Sequence, residues 1–280
     1  MAQTRSLTTT LGHEITVFRN DHVGDKIARQ GLYEKENLQL FLALLARLPA
    51  PVVLDIGANI GNHTLAFATQ AARVHSFEPI PSILALLRHN VSQNALDNVQ
   101  IHPLALSDQT GEATIHLVKD GNVGASSFDQ RNHATEAVTV RKAIGDDYLA
   151  AHGITRVDFV KIDVEAHELY VLRGLLGTLR RDLPLITLEW NDPLTIERLA
   201  DSPELAFLQE HYRIQVLTNS YDRLAWSGRP LALLRRKWHK LLLQPRQVVL
   251  RPFTPERLYK NLLLVPRGRE QLLRGLVGEN

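Results

Sequence analysis

Residues 52–64, with the sequence VVLDIGANIGNHT, decide the fold of this chain. The stretch opens with a short apolar run, passes through Asp55 into a turn that contains Gly57 and Gly61, and continues into the apolar residues of a helix. This pattern predicts a buried strand, a glycine turn and the start of a helix. Because glycine has no side chain, such a turn brings bare backbone against a ligand.

A second strand is predicted at residues 74–77 and ends at Glu78, which follows Gly57 by 21 positions (78 − 57 = 21). A carboxylate at the tip of the second strand, about 20 residues beyond the glycine turn, can accept hydrogen bonds from both hydroxyls of a ribose. The two signals together indicate a nucleoside-containing cofactor. The alternative is a structural strand, turn and helix that bind no ligand.

The glycine pattern also bears on which cofactor is bound. Gly57, Asn59 and Gly61 do not form the G-x-G-x-x-G fingerprint of dinucleotide folds, and the sequence has no G-x-x-x-x-G-K-[ST] phosphate loop. Asp55 stands two residues before the first glycine, where its charge would repel a pyrophosphate and would suit a positive sulfonium. We therefore predict S-adenosylmethionine, bound by Asp55, Gly57, Asn59, Gly61 and Glu78.

Four blocks of the sequence resemble the FkbM-type S-adenosylmethionine-dependent methyltransferases. They are DIGANIG at 55–61, FEP at 77–79, ALSD at 105–108 and KIDVE at 161–165, with weaker matches at 31–34 and 261–265. The resemblance implies an O-methyltransferase that acts on a hydroxyl of a carbohydrate or of a glycosylated natural product. The family usually has glycine after the Asp-x-Glu, where this chain has Ala166. Alanine suits that position if the backbone there is helical.

The remaining pattern predicts alternating strands and helices. Strands are expected at 99–101, 157–162, 184–190, 212–218 and 261–265, and helices at 34–48, 82–91 and 167–179. Such alternation favours a parallel sheet with right-handed crossovers. The predicted fold class is therefore α/β, a Rossmann-like class I methyltransferase sheet flanked by helices. It is expected to be mostly parallel, with an antiparallel last strand as in the methyltransferases that the chain resembles.

Three parts of the chain are predicted. Residues 1–49 form an N-terminal hairpin, at residues 8–18, and a cap helix. Residues 50–266 form the methyltransferase domain with a basic insertion at 229–251, and residues 267–280 form a C-terminal tail. Extra strands are expected at 112–118 and 138–142, joined by a long polar loop. In the family that the chain resembles this region lies near the substrate mouth, which implies that Ser126 and Ser127 contact the substrate.

Ligands of open α/β sheets bind outside the carboxyl ends of the strands. Polar residues are expected there at Asp55, Glu78, Ser107, Asp108, Asp163, Glu165 and Glu189. In this arrangement Ser107 and Asp108 lie beside the adenine of the cofactor, although Asp108 can instead bond locally in a turn.

Methyl transfer to an alcohol requires alignment of the acceptor oxygen and a base for its proton. The predicted catalytic residues are Asp163, Glu165 and His167, and Asp163 is the first choice for holding or deprotonating the acceptor. A capping or surface role is the alternative for His167. Asp163, Glu165 and Glu189 also offer oxygen ligands for a divalent metal. Their spacing is not diagnostic, so we assign no metal.

The composition limits the class of protein. The chain has no cysteine, which excludes disulfides, thiolate zinc sites and cysteine nucleophiles. The N-terminus lacks the apolar core of a secretory signal, so we expect a cytoplasmic enzyme. An RNA methyltransferase is a second hypothesis, although the sequence shows no recognisable RNA-binding module. A non-catalytic nucleoside-binding protein on the same fold is a third. The oligomeric state is not predicted.

Positive charge is concentrated near the end of the chain, where residues 211–280 carry 14 Lys and Arg against 4 Asp and Glu. Within residues 229–251, leucines and Trp238 recur at helical spacing between basic residues. An amphipathic basic helix of this kind suits an anionic membrane surface. The alternative is that its leucines pack on the domain or on a second subunit and its charges face water.

Overall fold

The computed structural model describes residues 3–19, 21–118, 128, 134–219 and 248–277. The strands of this part are β1 (Thr4–Thr8), β2 (Glu14–Phe18), β3 (Val52–Ile56), β4 (Arg73–Phe77), β5 (Val99–His102), β6 (Ala105–Ser107), β7 (Gly111–Val118), β8 (Ala134–Ile144), β9 (Phe159–Ile162), β10 (Leu185–Trp190), β11 (Tyr212–Asn219), β12 (Val248–Pro252) and β13 (Tyr259–Pro266). The helices are α1 (His22–Gln30), α2 (Lys35–Leu45), α3 (Asn62–Phe67), α4 (Pro81–Gln93), α5 (Gly145–Ala151), α6 (Glu168–Gly174), α7 (Leu176–Asp182), α8 (Pro193–Leu199) and α9 (Pro203–His211), followed by a short 3-10 helix at Glu270–Leu273.

In the described part of the chain, eight strands form one sheet in the order β12-β11-β13-β10-β9-β3-β4-β5. The strands from β10 to β5 are parallel to one another, whereas β13 lies antiparallel between β10 and β11. The chain order runs outward from β3 in both directions, which is the doubly wound arrangement. This topology confirms the predicted Rossmann-like sheet with an antiparallel last strand. The strand β12 adds a further antiparallel edge next to β11.

The central strands are apolar on both faces because helices cover both sides of the sheet. Successive residues of β3 show this, since Val53 packs with α2 and α3 on one face and Leu54 packs with α6 and α7 on the other. The same alternation occurs at Phe159 and Val160 of β9. These residues are almost completely buried, and their burial is the main force that holds the parallel strands in register.

Two smaller sheets lie outside the main one. The hairpin of β1 and β2 contains Gly12, whose φ of +85° lies in the left-handed region. The hairpin begins at Thr4, earlier than the predicted residues 8–18. The side chain of Asn90 in α4 holds β2 in place, because it forms hydrogen bonds with both the backbone amide and the backbone carbonyl of Thr16. The strands β6, β8 and β7 form the other sheet. Residues 105–107 therefore form a separate strand. The sequence had instead suggested that they lie at the carboxyl end of the third strand of the main sheet.

The structure differs from the expected helices in several places. The helix predicted at 167–179 is two helices, α6 and α7, and a Cβ on Gly174 at the end of α6 would meet the backbone of Ser107. Helix α5 was not predicted. Helix α1 was not predicted, although Asp21 caps its start and Gly31 ends it in the left-handed conformation. The helices α8 and α9, which begin with prolines after Asp192 and Ser202 caps, were also missed.

The basic insertion predicted at 229–251 falls almost entirely outside the described residues, as do Ser126 and Ser127. The last four residues of the insertion, 248–251, belong to strand β12. These residues pair with β11, whereas the positions with helical spacing, from Leu231 to Leu242, lie outside the described residues. Within the described ranges, no helix has the length and apolar character needed to cross a membrane.

Candidate cofactor and acceptor site

The register of the parallel strands aligns the residues that follow them. Ile56 of β3 lies opposite Phe77 of β4 and Ile162 of β9. Ile162 in turn lies opposite Leu188 of β10. The next residues along these strands are Gly57, Glu78, Asp163 and Glu189. One edge of the sheet therefore carries the glycine turn and three carboxyl groups, as expected for the carboxyl ends of parallel strands.

The glycine turn approaches its neighbours so closely that only glycine fits at its start. Gly57 has a φ of +77°, and a Cβ at this position would run into the backbone carbonyl of Asp163. The amides of Gly57 and Ala58 both donate to the carbonyl of Phe77, at 3.1 and 3.0 Å. The turn is thus fixed to β4 on one side and to the end of β9 on the other.

Glu78 is attached to the same turn. Its Oε2 accepts a hydrogen bond from the amide of Asn59 at 3.1 Å, and its Oε1 accepts one from the amide of Ile80 at 2.8 Å. Asn59 has a φ of +52°, and its side chain accepts from the amide of Ile60 at 2.7 Å. Asparagine tolerates this left-handed conformation better than most residues. Asn59 therefore shapes the turn and orients the carboxylate that faces the cleft.

Burial raises the pKa of Glu78 to about 7, because desolvation outweighs the two backbone hydrogen bonds, which act in the opposite direction. The residue is 4% exposed and still lines the cleft. Each of its oxygens has accepted one backbone donor and has capacity for another. The carboxylate can therefore receive hydrogen bonds from a ligand with two adjacent hydroxyls.

Asp55 lies behind the glycine turn, outside the residues that line the cleft. It is fully buried, its Oδ2 accepts a hydrogen bond from Thr64 Oγ1 at 2.6 Å, and its Oδ1 lies 3.2 Å from Lys161 Nζ. Its charge therefore faces the ammonium of Lys161, and a contact of Asp55 with the cofactor stays a prediction. Gly61, at a φ of +97°, also lies outside the lining, and a Cβ there would meet the side chain of Leu87.

Ser107 and Asp108 lie in an adjacent groove, while Ala105 and Leu106 line the cleft itself. Ser107 Oγ is hydrogen-bonded to His167 Nε2 at 3.1 Å. Asp108 forms an ion pair with Arg173 at 3.4 Å. A contact of Ser107 or Asp108 with the cofactor stays a prediction.

Three carboxyl groups meet at one end of the cleft. Asp163, Glu165 and Glu189 each contribute an oxygen, and these oxygens lie within 4.8 Å of one another. The carboxyl groups of Asp163 and Glu189 are hydrogen-bonded to each other. Like charges at this distance cannot all be ionised, so the cluster holds at least one proton.

The proton of this cluster belongs to Glu189. Burial and then the charge of Asp163 raise the pKa of Glu189 far above its ordinary value. Burial works in the same direction on Asp163. The ammonium of Lys161, 3.5 Å away, and the hydrogen bond from Glu189 nevertheless hold the pKa of Asp163 below its ordinary value. Asp163 is therefore the ionised member of the pair and Glu189 is its hydrogen-bond donor.

His167 lines the same cleft but is held by neighbouring side chains. Its ring lies between Phe128 and Tyr170, with ring centroids at 4.3 and 4.7 Å, and Ser107 binds its Nε2. It is 8% exposed and immediately precedes α6. The structure thus brings Asp163 and Glu165 together with Glu189, and places His167 at the border with the adjacent groove.

The backbone before α6 is not helical. Alanine was expected to suit position 166 only if the backbone there were helical, so this condition is not met. Glu165 and Ala166 have φ values of +52° and +73°, both in the left-handed region. A residue with a Cβ is strained there by about 1–2 kcal/mol, which glycine avoids. The left-handed backbone directs Glu165 toward the cleft, where it is a lining residue.

Tyr33 closes another side of the cleft and was only weakly indicated by the sequence. The side chain of Asn62 bonds both its backbone amide and its carbonyl, at 3.1 and 3.2 Å. Glu34, which follows it, is held by Lys260 at 2.6 Å and by Asn261 at 2.8 Å. Lys161 of β9, Asn62 of α3 and Asn261 of β13 were not predicted as site residues, because they are distant from one another along the chain.

The cleft between these elements encloses about 900 Å³ of empty space, including its open mouth. Its apolar walls include Ile80, Ile83 and Leu106, next to Glu78. A flat apolar base, a ribose with two hydroxyls and an extended tail along the Gly57 turn match these features. The residues present therefore fit S-adenosylmethionine.

Comparison with known proteins identifies relatives of this chain. The 2-O-methyltransferase NoeI of Sinorhizobium fredii is 28% identical over 164 residues, which cover 53% of this chain and 66% of NoeI. The hexuronic acid methyltransferase AglP of Haloferax volcanii is 30% identical over 129 residues, 46% of this chain and 52% of AglP. The 31-O-demethyl-FK506 methyltransferase FkbM of Streptomyces tacrolimicus is 27% identical over 160 residues, 45% of this chain and 60% of FkbM. The chain thus spans about half to two thirds of the length of these relatives.

The family model described as the methyltransferase FkbM domain matches residues 55–214, more than half of the chain. The match begins at the strand before the glycine turn and includes Glu78 and the block from Lys161 to Glu165. The predictions of this family, of a methyltransferase domain and of S-adenosylmethionine as its cofactor are thereby confirmed. On this match, together with the sheet order described above, the chain belongs to the methyltransferase FkbM domain family.

Proposed function

We propose that this protein transfers the methyl group of S-adenosylmethionine to a hydroxyl group of a sugar or of a glycosylated natural product. The observation that carries the proposal is the meeting of Asp163, Glu165 and Glu189 within 4.8 Å in the cleft that Glu78 also lines. Carboxyl groups bind hydroxyl donors and can take a proton from them. The names of the relatives, a 2-O-methyltransferase and a hexuronic acid methyltransferase among them, support an acceptor of this class.

Several residues of the cleft hold the cofactor in this proposal. Glu78 accepts hydrogen bonds from the two ribose hydroxyls, and the bare backbone of Gly57 and Asn59 lies along the amino-acid portion. Ile80, Ile83 and Leu106 enclose the adenine. When bound, the cofactor supplies a methyl group already activated by its positive sulfur.

Asp163 is the base for the acceptor hydroxyl. It is ionised, it lines the cleft, and the protonated Glu189 donates a hydrogen bond to it. Asp163 would orient the acceptor hydroxyl and take its proton while that oxygen receives the methyl group that the bound cofactor would supply. Glu165, at the same end of the cleft, orients the acceptor by accepting a hydrogen bond from a neighbouring hydroxyl.

Methyl incorporation from labelled S-adenosylmethionine tests this proposal. Label is expected in an extract of polysaccharide precursors and not in total RNA. In the Asp163→Asn variant, turnover is expected to fall by about 100-fold or more, because the general base is lost, while S-adenosylhomocysteine affinity changes little. The exposed Glu197→Gln on α8 is the control and should retain turnover. Incorporation into RNA alone would refute the proposal, and full turnover in Asp163→Asn would move the base to another residue.

The basic segment 229–251 suggests where in the cell the proposed enzyme acts. A cytoplasmic enzyme with this segment would bind peripherally to an anionic membrane, near a lipid-linked acceptor. The support is its sequence, in which Arg235, Arg236 and other basic residues alternate with leucines. Flotation with anionic liposomes should show binding that salt weakens and that Arg235→Glu with Arg236→Glu reduces. Equal binding to neutral liposomes, or none to either, would contradict it.

A further inference from the structure

Lys161 occupies a place where a charged residue is unexpected. It lies in the middle of β9, whose four residues are all buried, and it is 5% exposed. An ammonium in such a place is stable only when its donors are paired. A charged residue that breaks the apolar pattern of a central strand therefore points to a function.

Three oxygens surround the ammonium of Lys161. Its Nζ donates to the carbonyl of Gly57 at 2.8 Å and lies 3.2 Å from Asp55 Oδ1 and 3.5 Å from Asp163 Oδ2. An ammonium has three donors, so these oxygens can satisfy all of them. Strand geometry explains the arrangement. Asp55 is the register partner of Lys161, and Gly57 and Asp163 are each two residues further along their chains, on the same face.

The three oxygens belong to different parts of the proposed reaction centre. Gly57 forms the turn on which the cofactor rests, and Asp163 is the carboxylate at the acceptor end of the cleft. Asp55 fixes the start of α3 through Thr64. A second contact joins the same parts, because Gly57 and the backbone carbonyl of Asp163 are so close that no Cβ fits between them.

We propose that Lys161 is a positioning residue that fixes the acceptor carboxylate Asp163 relative to the cofactor turn at Gly57 and keeps that carboxylate ionised. The proposal rests on the proposed function for the role of Asp163. Lys161 is outside the residues that line the cleft and acts through its three partners. In this role Lys161 fixes the distance between the bound methyl donor and Asp163, which accepts the proton in the reaction.

The charges around Lys161 are consistent with this role. Burial opposes its positive charge, but the carboxylates of Asp55 and Asp163 outweigh this and raise its pKa above the ordinary value. Burial, followed by the charge of Lys161, lowers the pKa of the neighbouring His63, which is therefore neutral. The charged or titratable groups that act on Lys161 or on its partners include Asp55, Asp163, Glu165, Glu189, Glu78, Glu168, Tyr33 and His63.

Lys161→Met tests the proposal, since methionine has similar length and no charge. Without the ammonium, Asp163 remains half-buried beside other carboxyl groups and has lost its neighbouring cation, so its pKa should rise. The acid limb of the pH profile of kcat should therefore move up by about one unit or more. S-adenosylhomocysteine affinity should fall by about tenfold, because the Gly57 carbonyl loses its donor. Lys142→Met, a lysine of β8 outside the cleft, is the matched control and should show neither change.

Two measurements need no acceptor. Calorimetry gives the affinity for S-adenosylhomocysteine, and NMR titration of ¹³C-labelled aspartate gives the pKa of Asp163, assigned with Asp163→Asn. Wild-type affinity together with an unchanged pKa of Asp163 in a folded Lys161→Met variant would overturn the proposal. These readouts separate it from the proposed function, which fails if the wild type transfers no methyl group to any sugar acceptor.

Lys161→Arg decides the case in which Lys161→Met does not fold. Arginine keeps the charge, so the acid limb and the pKa of Asp163 should stay near their wild-type values. Its larger planar group cannot place three donors at the same oxygens, so S-adenosylhomocysteine affinity and kcat should both fall. Wild-type affinity and kcat in this variant would show that the ammonium geometry is unimportant and would overturn the positioning role.

Discussion

Cofactor affinity should depend on pH through Glu78. Its pKa is about 7 in the free protein, raised by burial against two backbone hydrogen bonds. Ligand hydroxyls that donate to its oxygens favour the ionised form, so binding lowers this pKa. Affinity is then fully present above pH 7 and is lost as the pH falls below it, because the proton must leave before the ligand binds.

The size of the effect follows from the ionised fraction of Glu78. With a pKa of about 7, this fraction falls from about nine tenths at pH 8 to about one tenth at pH 6. Affinity should therefore fall by about tenfold over this range, which corresponds to about 1.4 kcal/mol. Glu78→Gln removes the titrating group, and its affinity should be independent of pH and weaker than that of the wild type at pH 8 by about 1–3 kcal/mol.

Calorimetric titration with S-adenosylhomocysteine at pH 6, 7 and 8 measures this dependence. The ligand keeps its own charges nearly constant across the range, and the exposed Glu197→Gln serves as the control that should follow the wild type. A flat affinity profile in the wild type would refute the reasoning. The same slope in Glu78→Gln as in the wild type would also refute it, because another group would then be responsible.

Two further predictions concern stability. Ala166→Gly should raise the free energy of unfolding by about 0.5–1 kcal/mol, since glycine relieves the left-handed strain at φ +73°. In thermal melts Ala85→Gly, on the exposed side of α4, should do the opposite, and a lower melting temperature for Ala166→Gly would contradict the strain argument. His75 and His102, hydrogen-bonded at 3.1 Å, have pKa values lowered to about 4, mainly by burial. The unfolded chain binds their protons more tightly, so the stability that these two histidines contribute should be lost from about pH 6.5 to about pH 4. In urea denaturation the difference in stability between the wild type and His75→Gln should shrink over this range, and a constant difference would count against the argument.

The parts of the fold that sequence predicted are those with local signals. Gly57 and Gly61 mark a turn because their positive φ values exclude most side chains. Glu78 follows a short apolar strand at a fixed interval from this turn. The apolar runs of β3, β9 and β10 are continuous because helices cover both faces, and this continuity is visible in the sequence.

Other features arise where distant residues meet. The strand β9 shows an isolated lysine, but only its register with β3 reveals that Lys161 lies opposite Asp55, 106 residues earlier (161 − 55 = 106). Gly174, at the end of α6, lies so close to the backbone carbonyl of Ser107 that no Cβ fits there. Neither contact can be predicted from the local sequence pattern. The periodicity of apolar residues shows which face of an element is buried, but not which residues pack against that face.

The sequence by itself determined the family, the doubly wound sheet, the glycine turn and the carboxylates at the strand ends, since each depends on short-range pattern and backbone sterics. The tertiary structure decided which of these carboxylates share a cavity and in what charge state. Asp55 faces inward to Lys161, while Asp163 and Glu189 share a hydrogen bond in the cleft. The reason is that burial and the proximity of other charges set the pKa of a carboxyl group, and both depend on the packing of strands that are far apart in the chain.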